Sequence, residues 1–160
     1  MVNIRNNSTR AIPVHLVVIL RSFVRLLTDV GVPVERCFRQ AGLPWYALED
    51  VDNYVPSHRF YKFVVSTSYS EGIMDLGFRV GEKFGADCAD PHMTELLNKA
   101  PTLYQGLRKA SERINQTVTH IRLGILQPAN CRYAYFYHHP SCKIDNPAIE
   151  QIGWFGITIL

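Results

Sequence analysis

A chain of 160 residues that is 47% hydrophobic and 19% charged has the size and composition of one folded domain, which excludes a disordered or low-complexity protein. The formal net charge of +3 is too small to announce a nucleic-acid-binding surface, although Arg5, Arg10, Arg21, Arg25, Arg36 and Arg39 face only Asp29 and Glu35 in the first 40 residues. No apolar run reaches the roughly 18 residues of a membrane helix, because Arg21 and Arg25 cut off the stretch from Ala11 to Leu20, and no small-residue cleavage site follows it; the expectation is a cytoplasmic protein with no membrane partner.

In chain order, residues 1–12 read as a flexible tail. Pro13 suits the first turn of a helix, and Leu16, Leu20, Phe23, Leu27 and Val30 recur at three and four residues as one apolar stripe ending near Gly31. Val34 to Ala41 reads as a short second helix, closed by Gly42 and stopped by Pro44. Residues 43–56 form a loop carrying Glu49, Asp50 and Asp52. Ser57 is placed to cap a helix bearing Phe60, Phe63, Val64 and Thr67, and Asp75 and Asp90-Pro91 mark the starts of two more.

Thr102-Leu103-Tyr104-Gln105 has the spacing of a capping box, and Leu103, Leu107, Ala110 and Ile114 continue it as a helical stripe. From Thr119 the period becomes two. Ile121, Leu123 and Ile125 alternate in one run, Cys131, Tyr133, Tyr135 and Tyr137 in the next, with Gln127-Pro128-Ala129-Asn130 between them: an antiparallel hairpin over about 119–138, to which residues 51–56 could add a strand. Asn146-Pro147 opens a final helix holding Trp154 and Phe155, with no stop signal before Leu160. The predicted class is α+β, with helices over the first two-thirds, a small antiparallel sheet and a final helix.

Several segments could carry chemistry. Cys131, His138, His139 and Cys142 combine thiolate and imidazole ligands in a short span, but their gaps match no zinc-knuckle or finger pattern, so no metal or other cofactor is expected. His138 and His139 lack a serine or cysteine nucleophile in a strained turn, no glycine-rich phosphate loop is present, and the expectation is a protein that is not an enzyme. Tyr133, Tyr135 and Tyr137 on one strand face, with Trp154 on the following helix, could wall a mostly apolar effector pocket; the same row could equally pack the sheet against helices. Arg122 and Arg132 fall on the opposite face from Ile121 and Tyr133, where they could meet an anion or simply water.

The ordered set GVPVERCFRQAGLPWYALEDVDNYVPSHRF at 31–60, LGFRVGEKF at 76–84, the helical segment 100–115 and the two strand-like runs resembles the N-terminal effector-binding domain, often labelled arabinose-binding-like, of AraC-type bacterial transcriptional regulators. The resemblance covers roughly residues 14–160. It implies a single sensor domain over residues 13–160, a small-molecule effector, a homodimer, and DNA binding through a C-terminal helix-turn-helix domain that this chain does not contain. Two other readings stand beside it. One is a dimerisation or protein-interaction module without a ligand, which would show an exposed apolar face. The other is a helix-turn-helix DNA reader at 34–65, against which Pro44 and the acidic loop sit where a recognition helix should follow.

Overall fold

The computed structural model describes residues 12–50, 52–88, 91–117, 121–129, 132–140 and 146–158. The order is β1 (Val14–Leu16), α1 (Val17–Asp29), α2 (Val34–Ala41), a 3-10 turn (Trp45–Leu48), β2 (Tyr54–Pro56), α3 (Ser57–Ser70), α4 (Leu76–Cys88), α5 (Pro91–Asn98), α6 (Leu103–Thr117), β3 (Ile121–Leu126), β4 (Tyr135–Pro140) and α7 (Asn146–Thr158). This is the expected mostly helical α+β fold, with two separate two-stranded sheets. Among the described residues, no helix is long and apolar enough to cross a membrane.

The chain enters differently from the sequence expectation. Pro13 does not open a helix; Val14 to Leu16 run extended and pair antiparallel with Tyr54 to Pro56, and α1 begins at Val17. Pro56 explains part of this, because the residue before a proline is held extended, so Val55 offers a ready strand. The segment around 51–56 therefore pairs with the start of the chain and not with the hairpin. Ser57 does not cap α3 either. Its buried hydroxyl is hydrogen-bonded to His15 Nδ1 at 2.9 Å, and the His15 ring lies 4.4 Å from Phe60 and edge-on to Tyr61 at 5.0 Å.

The α1 stripe does what its spacing demands. Leu20, Phe23 and Leu27 are fully buried, and Phe23 meets Phe60 of α3 and Phe155 of α7 at 5.5 and 5.4 Å, while Phe38 of α2 meets Phe63 at 5.1 Å. Each such side chain contributes about 1.5–3 kcal/mol by leaving water, and the tilted and edge-to-face ring pairs add to that. Gly42 ends α2 with φ of 72°, a left-handed conformation that disfavours any residue with a β-carbon, and the Arg59 guanidinium donates to its carbonyl.

The arginines of the N-terminal stretch serve this core. Arg21 Nε donates to the Leu48 carbonyl at 2.9 Å, Arg25 lies over the Phe84 ring at 4.4 Å, and Arg36 pairs with Glu71 at 2.6 Å. Three of the arginines behind its positive bias are thus spent on a carbonyl, a ring face and a carboxylate.

The remaining elements, α5, α6, β3 and β4, pack chiefly on one another. Thr102 Oγ1 accepts the Gln105 N–H at 3.3 Å, as the capping pattern predicts, but Leu103 is exposed, so the buried side of α6 starts later, at Gly106 and Ala110. The hairpin's second strand also starts later than expected, at Tyr135, with Ile121 opposite Pro140 and Leu126 opposite Tyr135. This register puts Ile121, Leu123 and Ile125 on the same face as Phe136, which is the more buried face. Tyr133 consequently lies in the connecting loop, ahead of β4.

Candidate functional site

The tightest joint in the fold lies between α4 and α7. Gly77 and Gly81 stand one turn apart on α4, and a β-carbon on Gly77 would strike the Gln151 backbone, while one on Gly81 would strike the Thr158 side chain. The absence of side chains at these two positions is what lets α7 approach so closely. Gln151, only 5% exposed, then uses both ends of its amide: Oε1 accepts the Gly77 N–H at 2.8 Å, and Nε2 donates to the Met74 carbonyl at 2.5 Å. The first of these bonds satisfies one of the four N–H groups that a helix start leaves without an intrahelical partner.

Next to this joint is a cleft of about 110 Å³, lined by Val65, Ser68 and Tyr69 of α3, Met74 ahead of α4, and Pro147, Glu150 and Gln151 of α7. The Ser68 hydroxyl is turned to the Ile73 carbonyl at 2.8 Å, which leaves Glu150 as the exposed charged group at the rim. The volume is well below the roughly 300 Å³ of a drug-sized site, so the cleft admits a small ligand or one arm of a larger one.

The cleft opens onto apolar surface. Tyr69 and Met74, which line it, are both more than half exposed, and one helical turn beyond Glu150 the Trp154 ring meets Phe78 of α4 at 6.4 Å in an edge-on arrangement. α7 buries Ala148, Ile152 and Phe155 on its inner side and carries Trp154, one turn from Glu150, exposed on its outer one.

The four aromatic residues singled out from the sequence fall in two places. Trp154 belongs to α7, which packs on α4 and α3, whereas Tyr135 and Tyr137 belong to β4 and Tyr133 to the loop before it, in the unit built on α6. All three tyrosines are exposed, and Tyr135 and Tyr137 lie on the side of the hairpin turned from Ile121 and Phe136. Arg122 shares that side, opposite His139, and donates to the Asn115 carbonyl at 3.2 Å. Arg132 is exposed in the loop.

Cys131 and Cys142 lie outside the described residues, as does the His138 side chain, so the Cys131, His138, His139 and Cys142 set falls largely outside the description. Among the described residues no group of three or more His, Cys, Asp or Glu side chains is placed to hold a metal ion. In the segment 34–65, α2 and its Gly42 turn lead into the 3-10 turn and then β2; the next helix, α3, starts only at Ser57 and buries Phe60, Phe63 and Val64. The turn is thus not followed directly by a recognition helix.

No family model matches this chain, and no curated protein matches it significantly. Sequence reasoning passed over the residues that build the joint: Gln151, Met74, Tyr69 and the glycine pair. The Gly77-x-x-x-Gly81 spacing was the available signal, since it marks a helix face that another backbone can approach.

Proposed function

We propose that this chain is the effector-sensing and dimerisation domain of an AraC-type transcriptional regulator. The observation that carries the reading is shared membership: Tyr69 and Met74 both line the cleft beside Gln151 and contribute to the exposed apolar ridge that continues to Phe78 and Trp154. A small molecule in the cleft would reposition ridge side chains, and a partner on the ridge would reshape the cleft. Each event biases the other by the same coupling free energy, which is what a sensor that works through association requires.

The ridge suits a second copy of the chain. A two-fold axis can set the exposed Trp154 and Phe78 rings of one protomer against those of the other, with Glu150 at the rim. The assignment rests on the sequence resemblance, and of its segments the helix from Leu76 is the one that carries this joint.

The test combines sedimentation equilibrium with a thermal-shift screen of sugars, amino acids, aromatic acids and fatty acids. The reading expects a concentration-dependent dimer that Trp154→Glu converts to monomer, and a stabilising ligand that shifts the dimer constant. A ligand-free dimer indifferent to the whole screen would favour the interaction module instead, the reading that the small cleft volume also supports. A monomer that answers to no ligand would sink both.

A further inference from the structure

Beyond that reading, we propose that the outer face of the hairpin binds single-stranded nucleic acid by stacking bases on Tyr135 and Tyr137, with cationic side chains beside them to meet the phosphates. Charge comes first. From Arg113 to Ile144 the chain holds Arg113, Arg122, Arg132 and Lys143 and no aspartate or glutamate, while the remaining 13 basic residues face all 14 acidic ones. The rest of the chain is therefore at −1, and three of the arginines near its N-terminal end, Arg21, Arg25 and Arg36, are engaged with a carbonyl, a ring face and a carboxylate. The hairpin carries exposed Arg122 and Arg132 in a stretch of sequence without a carboxylate, a complement to a polyanion.

Geometry selects the kind of polyanion. The pairing places Leu126 opposite Tyr135, Gly124 opposite Tyr137 and Arg122 opposite His139 on one exposed face, so two phenol rings lie two residues apart on one strand with two basic groups at the end of their row. That spacing along a strand is about 7 Å, room for one base on each ring. Gly124 fits this arrangement: a β-carbon there would come within 2.5 Å of the Tyr137 Oη, so glycine lets the ring lie across the hairpin, and Tyr137 stays 47% exposed. Exposed rings in a basic setting are how sequence-tolerant single-strand binders work, whereas duplex DNA offers its phosphates but keeps its bases stacked.

The experiment is fluorescence anisotropy of the whole chain with labelled oligo-dT and oligo-U, alongside a duplex of equal length, inorganic polyphosphate and phosphatidylserine vesicles. The proposal expects single strands to bind best, with Tyr135→Leu and Tyr137→Leu each weakening binding on the order of tenfold and Tyr→Phe at either position retaining it. Arg122→Gln should flatten the dependence of log affinity on log salt by about 0.7, the loss of one phosphate contact. Circular dichroism of each variant establishes that it is folded; should Tyr137→Leu unfold, the Phe variant and Tyr135→Leu still decide the matter. Polyphosphate or duplex binding as tightly as oligo-dT, vesicles binding in place of oligonucleotide, or no binding at all would each overturn it.

Discussion

The two parts of this molecule spend their residues differently. Around α1 to α4 and α7, Leu20, Phe23, Phe38, Phe60, Phe63 and Leu76 are fully buried, and even arginines are drawn into holding helix ends. Around α5, α6 and the hairpin, the buried set among the described residues is small, with Ala110, Ser111 and Ile121 its main members, while Tyr133, Tyr135, Tyr137 and Leu126 face outward. Apolar burial dominates stability, so the first region should decide whether the chain folds and the second what it displays.

The strongest way to break this division is at its aromatic centre. Phe60→Ala should cost about 3–5 kcal/mol and lower the melting temperature of the whole chain, because the ring's contacts with Phe23 and His15 leave a cavity that the packed helices cannot close. An equally costly Ile121→Ala, at the base of the hairpin, would erase the contrast. The next test is the α4–α7 joint: Gly77→Ala forces a methyl against the Gln151 backbone and should cost about 1–3 kcal/mol, more than Gly81→Ala, whose nearest obstacle is the movable Thr158 side chain. Chemical denaturation of both variants ranks them.

Gln151→Leu removes two hydrogen bonds and leaves the Gly77 N–H and the Met74 carbonyl unsatisfied at a mostly buried site, a loss of about 1–3 kcal/mol. Hydrogen exchange should then speed up in the first turn of α4 and in α7. The matching change in the other region is Asn115→Ala. Its amide accepts the Leu123 N–H at 2.8 Å and donates to the Leu123 carbonyl at 2.7 Å, holding the open edge of β3 as a third strand would. Exchange should quicken in β3 while the main thermal transition stays put. At the small end, Lys83→Ala removes the exposed pair with Asp29 and should change stability by less than about 1 kcal/mol.

How far the sequence could be read follows the same division. The stripe Leu20, Phe23, Leu27 and the Gly42 stop were legible because a helix with one buried side repeats at 3.6 residues and ends where only glycine is comfortable. β1 was not, since a three-residue strand has no period of its own and is decided by its partner Tyr54–Pro56, about 40 residues away. The hairpin was legible as a hairpin, but its register was not: Tyr133, Tyr135 and Tyr137 alternate as well as Ile121, Leu123 and Ile125 do, and only packing beside α6 shows which set is inside. The cleft was invisible, because its walls come from α3, α7 and the corner at Met74, far apart in the chain, and because Ser68 and Gln151 look from sequence like ordinary surface residues.

The most direct test of the account is hydrogen–deuterium exchange of the whole chain, with and without the best stabilising ligand from the screen. The account predicts slow exchange in α1, α3 and α4 and faster exchange in the hairpin of the free protein, with ligand-induced protection centred on residues 65–77 and 147–154. Protection confined to the hairpin, or a free protein whose hairpin is as slow to exchange as α1, would contradict it.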